Sequence, residues 1–467
     1  MKLFLDEDFL LDSATSRRLY REYAAELPII DYHSHLSAAE IAARKRFRNI
    51  TELWLSGDHY KWRLMRMAGV SERLITGDAG DREKFIAYCS VLPQAIGNPV
   101  HHWSHLELRR IFGVDTIINE KNAPGLWDAI NRRLEAIDAW GFLDQAKVET
   151  LCTTDEPSDD LKSHAELVRS ELKTRVLPSF RPDRAMAIND SRFVAYVGIL
   201  GEAANIKIRS FSTLIEALEH RVQYFDSSGA RISDHAIDMP LPAQIATDRD
   251  LEILFSRRLE GAELDQEELA QYRLGLLIAL GRVYAQHGWA MCFHIGAQRN
   301  NASRRFAALG PDSGYDSISD RSFSAGLSRL LDALDRDNAL PRTVLFCMNP
   351  NMNEVISTIL GAFADETARS KVQFGPAWWF NDHKEGNLSQ IAALANHGVL
   401  GTFVGMTTDS RSLASFPRHE YFRRLLCSRI GRWVEDGEYP LDEDALARLV
   451  RDICYYNAKT YFRFAET

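Results

Sequence analysis

His33 and His35 close an apolar run, Ile29-Ile30-Asp31-Tyr32-His33-Ser34-His35-Leu36. If the run is a strand, residues two apart share a face, and the two imidazoles lie side by side. Such a pair suits a divalent cation; taken alone it reads equally well as two polar residues hydrogen-bonded at a strand end. Later apolar runs also end in polar or charged residues: Ser179-Phe180-Arg181-Pro182-Asp183-Arg184, Ser233-Asp234-His235, Cys292-Phe293-His294, Trp378-Trp379-Phe380-Asn381-Asp382 and Thr407-Thr408-Asp409-Ser410-Arg411. If the last run lies beside the first, Asp409 completes a two-histidine, one-carboxylate set with positions open for a substrate, which suits Zn²⁺ or Mn²⁺. His294 and His235 fit a further ligand, a hydrogen-bond donor or a structural group equally well. No lysine follows the fourth or fifth run to bridge a second ion, so one metal ion is expected.

These ends need a frame that gathers them. Apolar runs follow the first, at 28–36, over 148–153, 175–180, 230–233, 290–295, 343–348, 372–380 and 402–407. Stretches of helical spacing lie at 161–173, 190–227, 265–287, 322–335, 351–368 and 387–397. Eight β units alternating with helices predict an α/β fold, a (β/α)₈ TIM barrel, with its chemistry at the carboxyl ends of the strands. An open doubly wound sheet is the competing arrangement, and no glycine-rich phosphate loop supports it. Residues 8–26 and 418–465 read as helices, the latter packed outside the barrel. Between 37 and 147 no β-branched run appears, and apolar residues recur at helical period (Leu64, Met67; Leu126, Ile130, Leu134, Ile137). The predicted organisation is a barrel of residues 1–36 and 148–467, with 37–147 a helical insertion after strand 1.

Composition excludes other classes. A hydrophobic fraction of 45% and a charged fraction of 26% fit a soluble globular chain. The net charge of −9 argues against a nucleic-acid surface, though local arginines can still hold an anionic small molecule. Six cysteines without a C-x-x-C pair suggest neither a zinc ribbon nor a disulfide framework. The N-terminus turns acidic before any signal-peptide core, and no apolar run reaches membrane-span length. A reduced, cytoplasmic protein that contacts no membrane is expected. His101, His102 and His105 imitate a metal cluster, but no carboxylate or strand frame holds them, and they read as structural or lid residues.

The motifs taken together resemble a known family. D-Y-H-S-H-L at 31–36, G-D-H-Y-K-W-R at 57–63, R-P-D-R at 181–184, S-D-H-A at 233–236, H-I-G-A at 294–297, W-W-F-N-D at 378–382 and T-D-S-R-S at 408–412 are similar to those of uronate isomerase (glucuronate isomerase). That family belongs to the amidohydrolase superfamily of distorted barrels, and the resemblance runs along nearly the whole chain, insertion included. It implies an intramolecular oxidoreductase, an aldose–ketose isomerase. The reaction implied interconverts D-glucuronate with D-fructuronate and D-galacturonate with D-tagaturonate. Most of the superfamily hydrolyses its substrates, so the histidine pair alone would suggest the alternative, a mononuclear metal-dependent hydrolase; a non-catalytic sugar-binding barrel is a second alternative.

By position, the resemblance implies His33, His35 and Asp409 as ligands of one divalent ion, zinc, in a catalytic or substrate-anchoring role, and His59 with Tyr60 as an active-site pair from the insertion. Arg181, Asp234, His294, Trp379 and Arg411 match residues lining the sugar site, with Arg184 and Trp378 as neighbours. The isomerisation moves a proton between C2 and C1 through a cis-enediol whose negative charge must be stabilised. Asp409 is the expected base, with Tyr60 and Arg411 stabilising charge at the C2 and C1 oxygens. The substrate carboxylate is held either by Arg181 or by the metal together with the C5 hydroxyl. The partner is thus a small hexuronate, and a homo-oligomer is the expected assembly.

Overall fold

The computed structural model describes residues 3–464. In chain order its strands are β1 (Ile29–Asp31), β2 (Val148–Cys152), β3 (Arg175–Leu177), β4 (Ile232–Ile237), β5 (Ala290–Ile295), β6 (Ala297–Gln298), β7 (Ser317–Ile318), β8 (Arg342–Cys347) and β9 (Val372–Phe374). One parallel sheet runs β1-β2-β3 and another β4-β5-β8-β9; β6 and β7 pair as a short antiparallel ribbon. Phe180 joins the two sheets. Its N–H donates to the Ile232 carbonyl (3.0 Å), and its own carbonyl accepts from the Asp234 N–H (2.9 Å). On the far side of β1, the Asp409 N–H donates to the His33 carbonyl (3.1 Å) and the His35 N–H to the Ser410 carbonyl (2.9 Å). The last apolar run therefore lies beside the first.

That run departs from the expected strand. Leu400–Thr402 is a 3₁₀ turn, and no ladder forms over 403–407. Gly405 explains part of this: its φ is +74°, and a Cβ there would stand 2.1 Å from the Ile453 carbonyl oxygen. Asp409 also has a positive φ, +48°. A regular ladder cannot pass through such residues. The expected strand over 372–380 shortens to β9, after which Trp379 turns the chain at φ +50°. The single helical stretch expected at 190–227 is two helices, Phe193–Ala204 and Phe211–Ser227. Asn205 ends the first in the left-handed conformation, and Ser210 opens the second with a capping box.

Residues 37–147 contain helices and no strand, among them His59–Met67 and Pro99–Phe112. Their apolar faces form a core cluster with Leu413, Phe416 and Tyr421, while a larger cluster surrounds β4, β5 and β8. The tail supplies helices Pro417–Glu435, Glu443–Arg451 and Asn457–Tyr461. All six cysteines are free thiols. Among the described residues no helix is long and apolar enough to cross a membrane.

Asp31 staples the ends of this arrangement. It is fully buried and accepts from the Thr407 hydroxyl (2.6 Å), the Thr408 hydroxyl (2.5 Å) and the Thr408 N–H (2.7 Å). Thr407 in turn accepts from the His33 N–H (2.9 Å). Asp31→Ala leaves these buried donors without an acceptor and is expected to cost about 3 kcal/mol or more. Urea unfolding of the two proteins side by side measures the loss; an unchanged midpoint would show that the 403–410 segment is held by other contacts.

Candidate active site

A cavity of about 410 Å³ opens at the carboxyl ends of the parallel strands, within the roughly 300–1,000 Å³ common for small-molecule sites. Asp409 stands at its base. One carboxylate oxygen, Oδ1, lies 3.0 Å from His33 Nε2 and 3.1 Å from His35 Nε2. The other, Oδ2, accepts from Trp378 Nε1 at 2.5 Å. Burial pushes the Asp409 carboxyl up, but the two imidazoles overcome this and hold it well below the usual carboxylate range. His33 is buried and His35 partly open, although both ring systems converge on one oxygen. The pair lies just beyond β1 rather than within it, its backbone fixed by the Cys152 and Ser410 carbonyls on either side.

His294, from β5, faces the same space. Its Nδ1–H donates to Asp234 Oδ1 at 2.7 Å, so the tautomer leaves Nε2 as an acceptor. Burial lowers the pKa of His294, and the neighbouring His33 adds to that against the pull of Asp234. The ring stacks on Phe346, centroids 4.5 Å apart. Two overlapping groups offer metal-ligand atoms within 4.8 Å of one another: His33, His35 and Asp409, and His33, Asp234 and His294. His33 Nδ1 and His294 Nε2 are buried without hydrogen-bond partners, and Asp234 Oδ2 faces them with only the Arg181 guanidinium, 3.0 Å away, beside it. Imidazole nitrogens and carboxylate oxygens facing one another, some of them orphaned, are what a borderline divalent cation satisfies. The residues present fit such an ion.

From the helical segment, Asp58 caps the helix His59–Met67 by accepting from the Tyr60 and Lys61 N–H groups. That cap delivers His59 and Tyr60 to the cavity wall, stacked with centroids 4.9 Å apart. Burial raises the Tyr60 phenol well above its ordinary value, so it stays a hydrogen-bond donor. Burial lowers the His59 imidazole, and Arg411 adds to the effect.

Four arginines line the cavity: Arg181, Arg299, Arg411 and Arg418. Arg181 is committed to Asp183 (2.7 Å) and Asp234 (3.0 Å). Arg411 pairs with Asp312 at 2.8 Å, and Arg418 pairs with Asp382 beneath the wall. Trp379 lines the cavity beside them.

Of the residues singled out from sequence, His33, His35, His59, Tyr60, Arg181, His294, Trp379, Asp409 and Arg411 share this cavity. Asp234 does not reach its wall. It is fully buried one layer below, where it holds His294 and Arg181. His235 points the other way, against Tyr284 and Phe293, as strand alternation requires of the residue after Asp234. Arg184 lies over Tyr196 outside the site. His105 is satisfied at both nitrogens, by the His101 carbonyl and the Ile118 N–H, as a structural residue is.

Sequence reasoning missed Arg299, Asp312, Arg418, Glu107 and the role of Trp378. Glu107 is buried, and burial pushes its carboxyl up to about 7 against the pull of Lys61. None of these residues carries a local signal apart from Trp378, which sits in a tryptophan pair already singled out. Arg299 and Asp312 belong to the excursion from β6 to β7, a segment absent from the predicted element order.

Residues 1–462 match the family described as glucuronate isomerase. A uronate isomerase of Caldicellulosiruptor saccharolyticus is 50% identical over 465 residues, 99% of this chain and 100% of that protein. One from Pectobacterium atrosepticum is 50% identical over 466 residues, 99% of each chain. The crystal structure of uronate isomerase from Thermotoga maritima superposes with a TM-score of 0.93 at 34% identity, covering 99% of this chain and 100% of that one. That of glucuronate isomerase from Caulobacter crescentus gives 0.91 at 25% identity, covering 99% and 97%.

Proposed function

The chain belongs to the glucuronate isomerase family, and from that membership we propose how its cavity converts a uronate aldose into the ketose. The activity is uronate isomerisation, an internal oxidation and reduction without net addition of water. The hydrolase alternative is not favoured. In our reading the substrates are D-glucuronate and D-galacturonate, and the products D-fructuronate and D-tagaturonate. The observation that carries the residue assignment is the meeting of His33, His35, Asp409, Tyr60 and Arg411, from three distant segments, around one cavity.

Asp409 is the base. Its Oδ2 takes the proton from C2, the C–H electrons form the C1=C2 bond of a cis-enediol as the C1 carbonyl electrons pass to the C1 oxygen, and that oxygen takes up the C2 hydroxyl proton. The C2 oxygen then re-forms a carbonyl while the C1=C2 electrons recover the first proton from the same carboxylate at C1, so no proton is gained or lost overall. Trp378 holds that oxygen in place. The Tyr60 phenol donates to the C2 oxygen and the Arg411 guanidinium to the C1 oxygen as charge develops there. His59, stacked on Tyr60, fixes the ring and excludes water. Arg181, His294 and Trp379 bind the sugar; Asp234 sets the His294 tautomer so that Nε2 accepts from a hydroxyl. A single divalent ion, zinc in our reading, would be held by His33, His35 and Asp409 and would supply a Lewis acid that anchors or polarises substrate oxygens.

We also read the joined sheets and the 403–410 segment as one distorted (β/α)₈ barrel of amidohydrolase type, residues 1–36 and 148–467, with 37–147 inserted as its lid. The backbone bonds through Phe180 and beside β1 support this reading. Free thiols fit a cytoplasmic location, and a homo-oligomer is the assembly to be checked by light scattering.

NMR of D-glucuronate with purified protein in D₂O tests the function. Ketose signals should appear, with the C2 hydrogen either exchanged for deuterium or transferred to C1. A folded, zinc-supplied preparation that leaves both hexuronates untouched would refute the reading.

A further inference from the structure

Arg299 differs from the other arginines of the cavity. Arg181, Arg411 and Arg418 each spend donors on a carboxylate of the protein at close range. Around Arg299 the nearest carboxylate oxygens stand off: Asp238 at 3.5 Å, Asp312 at 3.5 Å and Asp316 at 3.6 Å. These separations are at or beyond the edge of good hydrogen-bond geometry. Its guanidinium instead lies over the Trp379 ring, 4.8 Å from the centroid, which fixes its plane. A planar fork held by an aromatic face, with its donors largely unspent at a cavity wall, is suited to bind a carboxylate in bidentate fashion.

Asp312 shows that a carboxylate can occupy this place. Its Oδ1 faces Arg299, and its Oδ2 pairs with Arg411 at 2.8 Å. One carboxylate of the protein thus bridges two guanidinium groups at the mouth. It is not built in firmly. Asp312 is 41% exposed in its side chain, has φ +54°, and lies between Gly310 and Gly314, both at positive φ. A uronate brings two negative charges to this region, its carboxylate and the developing enediolate.

We propose that Arg299 receives the carboxylate of the substrate and so selects acidic sugars, and that Asp312 is a placeholder bridging Arg299 and Arg411 until the substrate displaces it. The inference rests on the uronate isomerase reading and deepens it. It moves carboxylate recognition from Arg181, whose Nε and one Nη are engaged internally, to the β6–β7 excursion. Displacement of Asp312 frees Arg411 to turn to the reacting carbons.

The test uses two substitutions expected to act in opposite directions on the zinc-loaded full-length protein. Arg299→Met should raise the KM for D-glucuronate about 10- to 100-fold while kcat stays within about 3-fold, as loss of binding common to ground and transition states requires. Asp312→Asn removes the competitor and should lower KM by about 3-fold. Should Arg299→Met fail to fold, Arg299→Lys takes its place: the charge remains, the fork is lost, and KM should still rise. An unchanged KM in the Arg299 variant overturns the inference. So does a rise in KM or a loss of kcat in both variants, which would mark the excursion as structural support. Wild-type protein without uronate turnover would instead sink the functional reading on which the inference stands.

Discussion

Asp409→Asn is expected to leave a folded protein that turns over D-glucuronate about 10³-fold more slowly, or slower still. The substitution keeps the shape of the side chain and removes its charge. In the structure Oδ1 lies against the Nε2 atoms of the histidine pair and Oδ2 accepts from the Trp378 indole. An asparagine has only one accepting oxygen, so its amide group must meet either an imidazole or the indole N–H. Loss of a buried hydrogen bond of this kind costs about 1–3 kcal/mol, which a chain of this size survives. Catalysis suffers far more, because an amide cannot take a proton from carbon. The same residue is also an assigned metal ligand, so bound zinc should be measured on the purified variant together with kcat. A variant that retains zinc and loses turnover isolates the role as base. Near-normal kcat would remove Asp409 from that role.

Arg411→Met should lower kcat about 100-fold or more with little change in stability. Its ion pair with Asp312 joins two side chains that are 36% and 41% exposed. Pairs of that exposure contribute about 1 kcal/mol or less to folding. The assigned task, donating to a developing oxyanion, is worth much more in a cavity that excludes water. Steady-state kinetics and urea unfolding of the same preparation separate the two effects. If the substitution melts the protein and spares the turnover of the folded fraction, Arg411 supports the loop and does not act on the substrate.

The fate of particular residues shows what could be read ahead of the structure. His33 and His35 were legible because alternation in an extended chain puts them on one side, and Asp409 because the ends of successive parallel strands gather on one rim. Helical periodicity revealed the character of 37–147. The resemblance brought His59 and Tyr60 into the site, for nothing in a helical pattern tells a cavity-facing histidine from a surface one. Where local conformation was unusual, the expectation failed. The eighth apolar run was read as a strand, and Gly405 with Asp409 at positive φ turned it into an irregular segment. Asp234 is expected from the resemblance to line the sugar site, and it lies buried behind the residues that line the cavity.

By itself the sequence determined which residue types stand at the ends of apolar runs, the alternation of those runs with helices, and the motifs that place the chain in its family. These depend on period and composition over a few residues, which a linear reading can measure. Only the tertiary structure decided that His33 meets a carboxylate 376 positions away, that Asp31 pins Thr407 and Thr408 just ahead of that carboxylate, and that Arg299 and Asp312 face each other across the mouth. Such contacts arise from chain closure and side-chain packing, and no neighbouring residue along the chain records them.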